Sequence, residues 1–212
     1  AVYRSERKPG ELQWACTTED QALFADWKSQ ILTSNVVQSS SGEIRTLRLA
    51  QSVNGEYSNF FGAFNVGQVA LTLAAVNATL TRSNGIYEKD LGVHLNLIAN
   101  TTAVFYYDPA TDPYTTLGNW NNQLRDAIIA SGIGLTNYDI GHMFGAAGGG
   151  GNAGCIGCVC SDNPASIHQG HDKGRGITSP ADGIPQGDNF DIDYVVHEVG
   201  HQLGGNHTFS QS

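Results

Sequence analysis

The chain has 212 residues, 40% of them hydrophobic, a formal net charge of −9 and an isoelectric point of about 5.0. That length fits one domain, or one domain with an appended arm, and the apolar fraction suffices for a packed core. The acidic balance argues against nucleic acid or an anionic membrane as the natural partner, and no apolar run approaches the roughly 20 residues that a membrane-spanning helix needs.

Residues 1–42 read as an N-terminal arm and a candidate prosegment remnant. They are polar, with Pro9-Gly10 near the start and Ser39-Ser40-Ser41-Gly42 at the close. Leu23, Phe24, Trp27 and Ile31 recur at helical spacing and predict a helix over 19–32. No signal peptide is visible, so a secreted protein would be represented here by a processed form.

From Ile44 the pattern becomes regular. Residues 44–52 alternate as a strand. Asn65 is placed to cap a helix whose apolar face is Val66, Val69, Ala70, Leu73, Val76 and Leu80, with Asn84-Gly85 as its stop. Gly92–Ala99 reads as a second strand continuing into Ala103–Tyr107, and Asp108-Pro109 and Asp112-Pro113 mark a loop. Asn119–Ser131 predicts a helix with Trp120, Leu124, Ala127 and Ile128 on one face and Gly132 at its end. Tyr138–Phe144 predicts a strand, and the run Gly148–Gly151 breaks the chain before another over 154–160. Gly174–Thr178 gives the last strand. Alternating strands and helices imply an α/β (α+β) domain over 43–212, built on a mixed, mostly parallel sheet.

Cys16, Cys155, Cys158 and Cys160 fit disulfides in an oxidising compartment better than a metal or redox cluster, which would need a second cysteine group or a low-pKa thiol. On a strand, Cys158 and Cys160 face one side and Cys155 the other, which disfavours pairing inside the cluster. One member is then expected to pair with Cys16 and another with a downstream cysteine. The other role open to Cys16 is a thiolate that blocks a metal ion.

The segment His197-Glu198-Val199-Gly200-His201-Gln202-Leu203-Gly204-Gly205-Asn206-His207 carries the chemistry. Positions i and i+4 share a helix face, so His197 and His201 can reach one ion. Glu198 follows the first ligand and faces a bound water. Gly204 lets the chain leave the helix in a left-handed conformation and bring back His207. Three imidazoles with an open fourth position describe a catalytic zinc site. Val195, Val196, Val199 and Leu203 are left to face the core. Upstream, Asp188 and Asp191 sit at capping-box spacing; with Asp193 they could instead bind calcium. His94 and His142 on strands read as structural, and His168 and His171 as surface residues.

This extended motif resembles that of the metzincin zinc endopeptidases. The stretches Tyr138–His142, Asp191–Val195 and Asn206–Phe209 resemble the reprolysin (adamalysin-like) branch, in particular its bacterial secreted members. The resemblance implies a secreted endopeptidase acting on proteins or peptides, with zinc on His197, His201 and His207 and Glu198 as general acid/base. It implies an upper subdomain with two packing helices, a zinc-binding helix and an antiparallel edge strand that receives substrate. By position that edge is Gly154, Cys155, Ile156, Gly157 and Cys158. Metzincins carry a methionine turn after the third histidine, whereas Met143 is the only methionine here and Ser212 the last residue. A second chain or a downstream segment is therefore expected to supply the turn and the lower subdomain. The competing reading is a catalytically silent zinc-binding fragment.

Overall fold

The computed structural model describes residues 14–20, 42–162 and 172–207. Strands Ala15–Cys16 (β1), Arg45–Val53 (β2), Val93–Leu97 (β3), Ile140–Phe144 (β4), Gly150–Asn152 (β5) and Gly176–Ser179 (β6) form one sheet in the order β1-β5-β6-β4-β2-β3. Every neighbouring pair is parallel except β5–β6. The helices are Gly55–Phe60 (α1), Val69–Leu91 (α2), Trp120–Ala130 (α3) and Val196–Gln202 (α4). Among the described residues no helix is long and apolar enough to cross a membrane.

Parallel strands bury both faces, and the alternation of side chains divides the core in two. Leu49, Val53, Ile140 and Phe144 pack with Val76, Leu80 and Tyr87 of α2 and with Val195 and Val199 of the histidine-bearing segment. Ala50, Met143 and Ile177 pack on the other face with Trp120, Leu124 and Ile128 of α3. The single methionine is thus a core residue. Val196 and Leu203 pack partly buried against the first cluster, as their spacing predicts.

Several boundaries differ from those read in the sequence. Asn65 caps only a 3-10 turn over Val66–Gln68, through Gly67 N–H at 3.0 Å. The helix that follows runs through Asn84-Gly85 to Gly92, whose φ is +64°. Asn84 acts as a tie rather than a stop: its amide accepts from Leu95 N–H and donates to Leu95 C=O, both at 2.9 Å, clamping α2 to β3. β3 ends at Leu97, and Thr101–Val104 is a 3-10 turn rather than more strand. The predicted helix over 19–32 lies almost wholly outside the described residues, as do His168 and His171.

Residues 154–160 form a turn, not an edge strand. Gly154 and Gly157 hold φ of +75° and +69°, a conformation incompatible with a pleated strand. A turn removes the alternation that argued against pairing, and Cys155 is disulfide-bonded to Cys158. Cys16 and Cys160 are free thiols, so the expected pairing of Cys16 with a member of the cluster is not present. The antiparallel edge lies just upstream, at β5.

Asp188 makes no capping bond. The chain enters α4 through a π-helical stretch, Asn189–Val195, a widened turn of the kind found at functional sites. Buried Asp191 accepts from Thr79 Oγ1 at 2.8 Å and Arg82 Nε at 2.9 Å, and Arg82 also pairs with Asp188. The two carboxylates read as helix caps share an arginine that ties the histidine helix to α2.

Candidate metal centre and active site

Helix α4 places His197 and His201 one turn apart on the same face, with their Nε2 atoms 3.0 Å from one another. Leu203 ends the helix, and Gly204, at φ +118°, turns the chain. The turn is closed by Gly204 N–H to His201 C=O at 2.9 Å and Gly205 N–H to Gly200 C=O at 3.0 Å. His207 then returns with its Nε2 3.2 Å from that of His201. The disulfide-closed turn supports this corner, because Gly157 N–H donates to His201 C=O at 3.0 Å.

A fourth donor arrives from the arm. Cys16 Sγ lies 3.7 Å from His201 Nε2, and the four ligand atoms all fall within 4.8 Å of one another. An ion held tetrahedrally at about 2.05 Å from nitrogen and about 2.3 Å from sulfur sets N···N near about 3.3 Å and S···N near about 3.6 Å. The nitrogen separations of 3.0 and 3.2 Å and the sulfur separation of 3.7 Å about His201 lie near those values. Second contacts orient the rings as metal ligation requires. His201 Nδ1 faces Gly205 C=O at 2.5 Å, and His207 Nδ1 faces Asp20 Oδ1 at 3.0 Å, leaving Nε2 turned inward. Burial first, and then the neighbouring histidines, lowers His197 to about 4, so its ring is neutral and free to ligate. Burial also lowers His201. Burial and the nearby Glu198 push the Cys16 thiol up to about 12; a divalent cation opposes both effects by binding the thiolate.

Glu198 is fully buried beside this cluster, and burial raises its carboxyl to about 7. Its Oε2 accepts from Thr18 Oγ1 at 2.9 Å, and that hydroxyl in turn accepts from Ala153 N–H at 2.8 Å. Glu198 Oε1 has no hydrogen-bond partner among the described residues. Edge strand β5 runs directly alongside: a Cβ on Gly151 would lie 2.5 Å from Glu198 Cγ.

The arm lies along that edge. Ala15 and Cys16 pair in parallel with Gly150 and Gly151, and Thr17 N–H donates to Gly151 C=O at 2.9 Å. Asn152 Nδ2 holds Thr17 C=O at 2.9 Å, and Asp20 accepts from His207 N–H at 2.8 Å. Trp14 stacks on Tyr194. A cavity of about 410 Å³ adjoins the histidines, with Leu91, Val196, Leu203 and Asn206 in its wall.

The structure therefore brings together His197, Glu198, His201, Gly204 and His207. It leaves Gly154–Cys158 as a supporting turn beneath them. Sequence reasoning missed Trp14, Thr18, Asp20, Gly151 and Tyr194; the only signal for the arm residues was their proximity to Cys16. His142 and His94 are satisfied structurally, the first by Gln202 at 2.7 Å and Thr178 at 2.8 Å, the second by Glu88 and Asn96.

The family described as metallopeptidase family M12B, reprolysin-like, matches residues 44–212. No curated protein matches the chain. The family match spans most of the chain, which belongs to the reprolysin-like metzincins and is a zinc metalloendopeptidase; its sheet and helices are those of a metzincin upper subdomain.

Proposed function

We propose that this is a secreted endopeptidase in a latent state, with His197, His201 and His207 as zinc ligands and Glu198 as general base. The observation that carries the reading is the convergence of three imidazole Nε2 atoms and Cys16 Sγ beside a buried carboxylate. Zinc held there supplies Lewis-acid polarisation and brings the pKa of water towards about 7. Glu198 Oε2 accepts a proton from the attacking water and returns it to the leaving amine, a task suited to a carboxyl raised to about 7. The bare backbone of β5 binds an extended peptide by strand addition, as it now binds the arm. This role moves from the expected Gly154–Cys158 to Gly150–Asn152. Residues 1–42 act as a prosegment whose Cys16 takes the fourth ligand position. The Cys155–Cys158 disulfide supports an oxidising, extracellular setting. A downstream segment or second chain with a methionine turn would complete the cleft, covering the cavity beside His207.

The test is hydrolysis of a quenched peptide library by the Cys16→Ala chain. Chelator-sensitive cleavage is expected, and it should vanish in Cys16→Ala/Glu198→Ala while one zinc per chain is retained. Equal cleavage by both would refute the role of Glu198. The alternative, a silent zinc-binding fragment, draws on the engagement of both Glu198 and the fourth ligand position by the arm. It predicts that zinc is bound and that no release of the arm produces cleavage.

A further inference from the structure

The arm makes two kinds of contact. Its pairing with β5 and Thr17 N–H to Gly151 C=O use main-chain atoms, so a peptide of any sequence could reproduce them. Its side-chain contacts are specific. Cys16, Thr18 and Asp20 engage a ligand cluster, a buried carboxylate and a histidine. Trp14 instead makes ring contacts, stacking on Tyr194 and meeting the edge of His197.

The slot that these rings form has a defined shape. Trp14 immediately precedes β1 and lies two residues before Cys16, and its indole reaches the ring of the ligand His197. The indole lies flat on Tyr194, with ring centroids 4.3 Å apart and planes 2° from parallel. The His197 ring meets it edge-on at 5.6 Å and 90°. Tyr194 precedes His197 by three residues on the same helical run and shares its face. One parallel ring and one perpendicular ring define a flat recess, and aromatic pairs favour these two arrangements.

From this geometry we infer that the recess between Tyr194 and His197 is a substrate subsite for an aromatic side chain, two positions from the residue at the metal, with Tyr194 as its specificity determinant. The inference rests on the proposed peptidase reading and names the substrate class for it: extended peptides carrying Trp, Phe or Tyr at that spacing. The side of the scissile bond on which the aromatic falls follows the direction in which substrate lies on β5.

The test uses the full chain carrying Trp14→Ala and Cys16→Ala, which clears the slot and the metal position together. Peptides identical except for Trp, Phe, Leu or Ala at each position within three residues of the cleaved bond are compared by kcat/KM. A parallel set is compared by Kd, using fluorescence anisotropy on the same chain with Glu198→Ala added. Trp and Phe should exceed Leu and Ala by about threefold to tenfold at one position. The preference should survive Tyr194→Phe and disappear in Tyr194→Leu, which keeps the bulk and removes the ring. Cleavage with equal rates for aromatic and aliphatic peptides, or a preference untouched by Tyr194→Leu, overturns the subsite and leaves the peptidase reading standing. An aromatic preference in Kd without cleavage upholds the slot and counts against the peptidase reading.

Discussion

Gly151→Ala isolates the contact between the edge strand and the proposed general base. Gly151 has no left-handed backbone to protect; it lies in β5, between Cys16 on one side and Thr178 on the other. Alanine is therefore permitted by the backbone and opposed only by what the new methyl meets. An ideal Cβ would lie 2.5 Å from Glu198 Cγ and 2.6 Å from Cδ, where carbon contacts relax to about 3.5–4.0 Å. The carboxylate must retreat by roughly 1 Å, and a misplacement of that size costs on the order of 10²-fold in rate. Overpacking at so buried a site adds about 1–3 kcal/mol of destabilisation. In the Cys16→Ala chain, kcat should fall about 100-fold with zinc content unchanged. Gly200→Ala is the control. It is helical with nothing within 4 Å of the added methyl, so it should stabilise by about 0.5–1 kcal/mol and leave zinc content as it was. If Gly151→Ala retains full kcat, either the carboxylate does not need its present position or Glu198 does not move the proton.

Latency should fail in steps. Cys16→Ala should raise peptide hydrolysis and abolish the thiolate charge-transfer band of the cobalt-loaded chain. Adding Thr18→Val should raise hydrolysis again by about tenfold to 100-fold, since a hydrogen bond to a charged group contributes about 1.5–3 kcal/mol; no gain from either substitution would contradict the arm's inhibitory role. His142 should make the fold acid-sensitive. Burial lowers it to about 4 against about 6.5 unfolded, so the unfolded chain binds the extra proton first and stability is lost as pH falls from about 6.5 towards 4. The loss from this residue should reach about 2 kcal/mol at pH 5, read as a drop in urea midpoint, and its ring should show no NMR titration above pH 5. Titration near pH 6.5 in the folded protein would refute its assignment as a buried neutral histidine.

The parts legible in the sequence were those encoded locally. His197, His201, Gly204 and His207 are fixed by helix periodicity and one glycine turn, and nothing distant is needed to read them. β2, α3 and β4 carried their own apolar periods. Asn84-Gly85 misled because the local stop signal was overridden by the tertiary tie from Asn84 to Leu95. Asp188 and Asp191 misled for a similar reason: Arg82 and Thr79, more than a hundred residues upstream, claim the carboxylates. Cys16 meets His201 across 185 residues of sequence, and no periodicity encodes that meeting. The edge strand was illegible for the opposite reason, since Gly150-Gly151 has no side chains with which to announce a strand.

That bareness is the device that joins binding to chemistry. Gly149, at φ +58°, would set a Cβ 2.8 Å from Ala181 Cα; Gly150 would set one 2.8 Å from Leu117 Cδ2 and 3.1 Å from Ala15 C=O; Gly151 faces Glu198. Three consecutive residues therefore each meet a different neighbour closely enough that an added Cβ would force that neighbour to shift. The edge backbone is brought against the carboxylate, so a chain hydrogen-bonded to Gly151 C=O is held within reach of Glu198 without further positioning. The arm exploits the same approach: Thr17 binds Gly151 C=O and the next residue delivers its hydroxyl to Glu198. Inhibitor and substrate thus draw on the same main-chain bonds, and those bonds cannot discriminate between them. Selectivity for the arm must come from Cys16, Thr18 and Asp20, while the aromatic slot remains common to both. Loosening the edge would then weaken latency and turnover together, whereas changes at Cys16, Thr18 or Asp20 would release the enzyme and leave turnover intact.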